Sequence, residues 1–337
     1  ADGAPSCAVA LRALKAMGAS QVCYIVPNRF EYGYGLTPPI VELAAAEDPD
    51  LLSTVDNGIS SVDGVAAARS AGIDVLITDH QLPGEKVPRA NALVNPNIPG
   101  DPFPSKSLAG VGVIFYVMLA LRQRLQQRDW FAGRGVEYPN LGTLLDLVAL
   151  GTVADVVPLL DENRILVEHG IRMLRAEPLP GLVELLKVTK LDQALSLDTE
   201  SIAFNIAPRL NAAGRLGQAQ LAVELLTMPA GERAKQLADY IHQLNVTRDS
   251  LQRSVYLAAN KQAKSEFDPD GDPALVLAGV GWHQGVIGVV AGRLADKYAK
   301  PVLVLSLDAT GKQEAVGSGL SLIHISEPTR RATISRM

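Results

Sequence analysis

Leu51-Leu52-Ser53-Thr54-Val55-Asp56-Asn57-Gly58 and Asp74-Val75-Leu76-Ile77-Thr78-Asp79-His80 are the stretches on which the reading of the fold turns. Each is a short apolar run that stops on an acid, and between them Ser60 to Ala71 carries its apolar residues at helical spacing. Strand, helix and strand in that order make a βαβ unit, which builds a parallel sheet. The pattern continues outward in both directions. Upstream, Pro5 to Gly18 has helical spacing and Gln21 to Val26 reads as another strand; downstream, Ala92 to Val94 is a fourth short strand ahead of the turn Asn95-Pro96-Asn97. Ligands of open parallel sheets sit beyond the carboxyl ends of the strands, which places Asp56, Asp79 and His80 along one rim.

From Ser105 to about Leu226 the spacing is mainly helical, with helices expected over Val111 to Leu125, Leu141 to Val156, Asn163 to Leu174 and Leu182 to Val188. Gly231 to Phe267 reads as one long helix or a helix pair, and the breaker cluster Asp268-Pro269-Asp270-Gly271-Asp272-Pro273 as a domain boundary. Beyond it, Ala274 to Ala278, the helix Gly285 to Tyr298, and Pro301 to Ser306 predict a second, smaller α/β unit. The fold class is therefore α/β: a parallel-sheet domain over 1–195, a helical connector over 196–267 and a smaller domain over 268–319.

The composition, 47% hydrophobic and 20% charged in 337 residues, is that of a globular chain and excludes disorder and collagen-like repeats. The longest nearly uncharged apolar run, Leu108 to Leu121, is shorter than the roughly 20 residues of a membrane-spanning helix. Cys7 and Cys23 lack metal-binding spacing and point to a reducing compartment, hence the cytoplasm. A net charge of -5 is unlike a generic nucleic-acid binder, whose affinity comes largely from neutralising phosphates. Such a chain must bind something else, carry metal, or confine its positive charge to one groove. Both ends depart from the interior pattern. Ala1-Asp2-Gly3 reads as a cut inside an element, and from Leu320 the string Leu320-Ser-Leu-Ile-His-Ile-Ser-Glu-Pro-Thr-Arg330 matches a translated sequencing-library adapter, so 320–337 is read as a non-native tail. His324 belongs to it.

Acids and an imidazole recur at element ends: Asp2, Asp56, Asp79-His80 and Asp155. Carboxylate oxygens and neutral imidazole suit manganese or magnesium. Asp155, in Leu150-Gly-Thr-Val-Ala-Asp-Val-Val-Pro158, interrupts an apolar helix and would be costly to bury unpaired; a cation offsets that cost. In order, Asp2-Gly3, Thr54-Val-Asp-Asn-Gly-Ile59, Thr78-Asp-His-Gln-Leu-Pro-Gly84 and Gly151-Thr-Val-Ala-Asp155 resemble the four motifs of the DHH phosphoesterase superfamily. Pro27-Asn-Arg-Phe-Glu-Tyr-Gly-Tyr-Gly35, Ser105-Lys-Ser-Leu-Ala-Gly-Val-Gly112, Ala207-Pro-Arg-Leu-Asn-Ala-Ala-Gly-Arg215 and Gly281-Trp-His-Gln-Gly-Val-Ile-Gly288 narrow the resemblance to its RecJ family, over about Ala1 to Gly319.

That resemblance implies a DHH domain followed by a DHH-associated domain, and a phosphodiesterase using two divalent ions, manganese or magnesium. Asp2, Asp56, His80 and Asp155 look like the set around one ion, with Asp56 bridging both; Asp79 either orients its neighbours or ligates directly. Only the last acid of the family's Asp-x-Asp-Ala-Asp-Gly string is present, as Asp2, so residues 1–337 alone are expected to show little nuclease activity. The third motif ends in Gln81 where the family has a second histidine. Glutamine hydrogen-bonds but neither carries a charge nor relays a proton, so this position either weakens the chemistry or only positions. The small-residue stretch around Asn211 and Gly214 is expected as a loop in which Arg209 and Arg215 clamp a phosphate. His283 is a structural histidine or a substrate contact, and Arg293 a further phosphate contact.

The implied activity is 5′ to 3′ exonuclease action on single-stranded DNA in repair and recombination. The implied partners are single-stranded DNA with a 5′ end, single-strand-binding protein and a RecQ-type helicase, and no membrane. Two alternatives stand beside it: a phosphodiesterase of short oligonucleotides or cyclic dinucleotides, and an inactive replication scaffold, which Gln81 invites and the retained acids oppose.

Overall fold

The computed structural model describes residues 2–194, 197–268, 271–308 and 315–320. The tail beyond Leu320, with His324, and the expected 195/196 division lie outside the described residues. The chain folds as two compact units, Ala1–His242 and Gln243–Met337.

The first unit opens with helix α1 (Gly3–Ala16), followed by β1 (Leu51–Val55), α2 (Val62–Ser70), β2 (Asp74–Thr78) and β3 (Ala92–Val94). The strands form a parallel sheet in the order β1-β2-β3. Register positions the functional rim: Val55 lies opposite Thr78 and Thr78 opposite Val94, so the strands end level and Asp56 and Asp79 emerge side by side. The Thr78 hydroxyl locks that register by donating to the Thr54 carbonyl at 2.8 Å. One face of the sheet packs Val75 and Ile77 against Val65 and Ala68 of α2 and against Leu36, Ile40 and Val41. Gly64 permits the close approach, since a Cβ there would fall 2.0 Å from the Leu36 carbonyl oxygen.

The larger core joins α1 to α3 (Gly110–Gln127), α4 (Leu145–Ala154) and α5 (Asp161–Ala176). Helix α4 is apolar around its circumference and buried from Asp146 through Val153, as such a helix must be. Each fully buried Leu147, Leu150 or Ile114 contributes about 2 kcal/mol relative to exposure. Further along, α6 (Ala207–Arg215) precedes α7 (Glu232–Glu266), one continuous 35-residue helix. Ala234, Leu237, Ala238 and Ile241 of α7 join the first unit's core, whereas Val255, Ala259 and Ala263 join the second's. Packing therefore divides the chain inside this helix and not at the breaker cluster.

In the second unit, β4 (Leu275–Val280), α8 (Gln284–Tyr298) and β5 (Val302–Leu307) make a βαβ turn, and β6 (Val316–Leu320) adds antiparallel to β5. One expected strand is corrected: residues 21–26 form no ladder, and Tyr24 and Ile25 are exposed. An apolar run becomes a strand only where a neighbour takes its backbone hydrogen bonds. No described helix is long and apolar enough to cross a membrane.

Candidate metal centre

The turn after β1 is built for its acid. Asp56 has φ 60°, in the left-handed region that Asp tolerates better than most residues, and Gly58 has φ 117°. The Thr54 hydroxyl donates to the Asn57 carbonyl at 2.7 Å, and a Cβ at Gly58 would lie 2.6 Å from that hydroxyl, so only glycine closes this turn. After β2, the fully buried Asp79 accepts three backbone amides: Ile59 at 2.9 Å, His80 at 2.7 Å and Gln81 at 3.0 Å. Asp79 thus ties the two rim turns together. Asn95 and Asn97 fix the same segment from β3, donating to the Gln81 carbonyl at 2.8 Å and the His80 carbonyl at 2.6 Å. In the sequence they were legible only as a turn.

Four expected residues converge here. Asp2 is buried at the start of α1, and one of its oxygens, Oδ2, accepts the Val111 amide at 2.9 Å from the first turn of α3, where the helix dipole favours negative charge. Its other oxygen is buried with no hydrogen-bond donor against it. His80 Nε2 lies 3.2 Å from Asp56 Oδ1 and 3.4 Å from Asp155 Oδ2. Ligand atoms of Asp2, Asp56 and His80 fall within 4.8 Å of one another. Two glycines leave the room: a Cβ on Gly110 would meet Asp56 Oδ1 at 2.9 Å and Asp2 Oδ2 at 3.1 Å, and one on Gly151 would meet the Asp2 Cβ at 3.2 Å.

The electrostatics follow from crowding acids out of water. Burial, then the Asp56 charge, pushes the Asp2 carboxyl well above its ordinary range. Asp155 is raised to about 6 by burial and the Asp2 charge, against the pull of His80. For His80 burial disfavours the proton, but the Asp56 hydrogen bond and the charges of Asp2, Asp56 and Asp155 outweigh it and hold the imidazole up to about 9. A proton on His80 and a divalent cation thus compete for the same carboxylate oxygens. An undonated buried oxygen, glycines where side chains would collide with the carboxylates, and hard oxygen and imidazole donors together fit a divalent cation.

Asp155 does not interrupt a helix, as the sequence reading had it; it caps the carboxyl end of α4. The acid buried within that helix is Asp146, which no sequence motif marks. Burial raises it to about 6, while the Leu147 and Leu179 amides donate to its two oxygens at 2.7 and 3.0 Å. Gln81 donates from Nε2 to the Tyr34 hydroxyl at 2.8 Å.

The segment 207–215 is helix α6, not a loop. Ala212 and Ala213 are small because they are wholly buried against the core. Arg209, Asn211, Gly214 and Arg215 share this helix, with Arg209 donating from Nε to His242 Nδ1 at 3.0 Å and from Nη1 to the Asn205 carbonyl. The following turn approaches the Pro27–Gly35 stretch, since a Cβ on Gly217 would lie 3.4 Å from the Asn28 side chain. In the second unit His283 caps α8, its Nδ1 accepting the Gly285 amide at 3.0 Å, and Arg293 stacks 4.5 Å over the Tyr256 ring.

Residues 1–152 match the family model described as DHH family, N-terminal domain. The chain is 45% identical to the single-stranded-DNA-specific exonuclease RecJ of Dickeya dadantii and equally to that of Escherichia coli (strain K12), in both cases over 98% of this chain and 58% of the relative. It therefore spans a little over half the length of these curated relatives. A crystal structure of exonuclease RecJ bound to manganese superposes with a TM-score of 0.80 at 32% identity, covering 98% of this chain and 78% of that one. Motifs, fold and both sequence and structural likeness agree that the chain belongs to the RecJ family of DHH proteins.

Proposed function

We propose that the chain carries the catalytic centre of a metal-dependent exonuclease acting 5′ to 3′ on single-stranded DNA, in repair and recombination in the cytoplasm. The observation that carries this reading is the convergence of Asp2, Asp56 and His80, with Asp155 on His80, around a buried oxygen that no donor satisfies. These four residues would hold one manganese or magnesium ion, with Asp56 on the side of a second. Such ions supply water activation at neutral pH and neutralise charge on a phosphate in line with its leaving group.

The chain's own groups do the rest. Asp79 is the orienting residue, its oxygens committed to the backbone that carries His80 and Gln81. The first turn of α3 lends its dipole to the acids. Arg209 and Arg215 on α6 are the phosphate clamp, with Asn211 and Gly214 beside them, and His283 and Arg293 are further substrate contacts of the DHH-associated unit. Single-strand-binding protein and a RecQ-type helicase are the partners in keeping with the family.

Manganese calorimetry and a digestion ladder test it together, both on the longer protein with the complete first acid motif, since residues 1–337 alone are expected to cleave little. The chain should bind Mn2+, and Asp56→Asn should weaken that binding by more than about 100-fold, since even residues supporting a ligand cost 10- to 100-fold. Ordered shortening of a long 5′-phosphorylated single strand by the protein supports the exonuclease. Cleavage confined to dinucleotides would favour the short-oligonucleotide enzyme, and absence of Mn2+ binding would favour the scaffold.

A further inference from the structure

The glutamine that departs from the family's third motif has a partner of its own. Gln81 is held from both sides by backbone bonds, its N–H donating to Asp79 Oδ1 at 3.0 Å and its carbonyl accepting Asn95 Nδ2 at 2.8 Å. With the main chain fixed, the side chain has little freedom left except where it points, and Nε2 reaches the Tyr34 hydroxyl at 2.8 Å across 47 residues of sequence. Tyr34 is the opposite case. It sits between Gly33 (φ 80°) and Gly35 (φ 76°), two positions in the left-handed region, and its residue is 70% exposed. The loop is fastened on both sides of the tyrosine, where the Tyr32 carbonyl accepts the Thr37 hydroxyl at 3.1 Å and Leu36 N–H donates to the Ser61 hydroxyl at 3.0 Å. An exposed ring between two glycines gains a defined position only from a tether on its side chain. Gln81 follows His80 directly and its N–H is bonded to Asp79, so a ring tethered to its side chain lies beside the acid centre.

We propose that Gln81 is a positioning residue for Tyr34, its amide holding the ring at the mouth of the Asp2–Asp56–His80 centre, so that the third-motif position governs placement of the nucleotide beside the scissile phosphate. The substitution of glutamine for histidine then trades a titratable group for a neutral donor whose hold on the tyrosine does not change with pH. This rests on the nuclease reading above for its substrate, but the tether itself does not.

The experiment compares Gln81→Leu, Tyr34→Phe and the double variant in the full chain, with three readouts: binding of a 5′-phosphorylated single strand, Mn2+ affinity, and 19F NMR of protein carrying 3-fluorotyrosine. Each single variant should weaken strand binding about 3- to 10-fold, the range for one lost hydrogen bond, and the double no further than either single, because both remove the same contact. Mn2+ affinity should stay within about twofold in all three, marking a loss of positioning and not of the centre. The Tyr34 fluorine resonance, identified by its loss in Tyr34→Phe, should move in Gln81→Leu. Multiplying effects in the double variant, or an unmoved resonance, would overturn the proposal. If the parent chain binds neither Mn2+ nor the strand, the nuclease reading falls, and the fluorine shift alone then decides whether the tether exists.

Discussion

The acid rim of the first sheet and the arginine-bearing helix α6 belong to the same unit and carry opposite charge, and they are held in opposite ways. At the rim, backbone amides reach inward to carboxylates: Ile59, His80 and Gln81 to Asp79, and Val111 to Asp2. Acids too close for comfort are kept there by the main chain, and the cost shows as raised pKa values at Asp2 and Asp155. On α6 the direction reverses. Arg209 reaches outward to its own neighbourhood, His242 Nδ1 and the Asn205 carbonyl. The difference teaches that the rim is fixed in advance for a cation, whereas in the proposed clamp the guanidinium of Arg209 would have to exchange its bonds to His242 and Asn205 to take an anion.

The contrast breaks most readily at Gly110. In Gly110→Ala the new methyl meets both Asp56 and Asp2 carboxylates, so Mn2+ affinity should fall about 10- to 100-fold with the fold retained; calorimetry and a melting curve check both, and unchanged affinity would mean that the rim is not preset. Next comes pH. His80 keeps its proton to about pH 9 and Asp155 to about 6, whereas a bound cation requires both deprotonated. Between pH 6.5 and 9 each Mn2+ should therefore release at least one proton, from His80 and in part from Asp2, and bind about tenfold more tightly per pH unit for each proton released. Titration calorimetry in buffers of different ionisation enthalpy counts the protons released. For the fold itself, both groups have raised values. Their stabilisation is complete below the unfolded values and is lost as pH rises through about 6 for Asp155 and about 9 for His80.

Arg209→Lys should leave Mn2+ binding alone and weaken single-strand binding about fivefold, since lysine offers no planar fork; an equal loss in both would show that the two regions are one device. The smallest effect belongs to the second unit. His283→Ala removes the acceptor for the Gly285 amide and should cost that unit about 1 kcal/mol, read by hydrogen exchange in α8. A strand-binding loss exceeding that would make His283 a substrate contact as well as a cap.

How much of this was legible beforehand differs by element. The βαβ pattern over residues 51–78 could be read directly, because strand and helix periods are local; the breaker-free run between Glu232 and Glu266 read as one long helix or a helix pair, and the structure has one. The strand over 21–26 and the loop over 207–215 could not: apolarity alone does not supply a ladder partner, and small residues serve close helix packing as readily as they serve an anion loop. Asp79 was singled out as either ligand or support, and its three amide bonds became visible only when Ile59 and Gln81 were brought to it. Asn95, Asn97 and Asp146 gave no signal beyond a turn and a helix start, since their partners lie on other elements.

By itself the sequence determined the βαβ order of residues 51–78 and that acids would stand at the strand ends, because backbone propensity, apolar period and turn chemistry are properties of neighbouring residues. The motif resemblance grouped Asp2, Asp56, His80 and Asp155, spread across the first 155 positions; the tertiary structure shows how their side chains meet, and it alone decided that Gln81 answers to Tyr34. Strand register and helix packing set those meetings, and both are fixed by contacts between residues far apart in the chain.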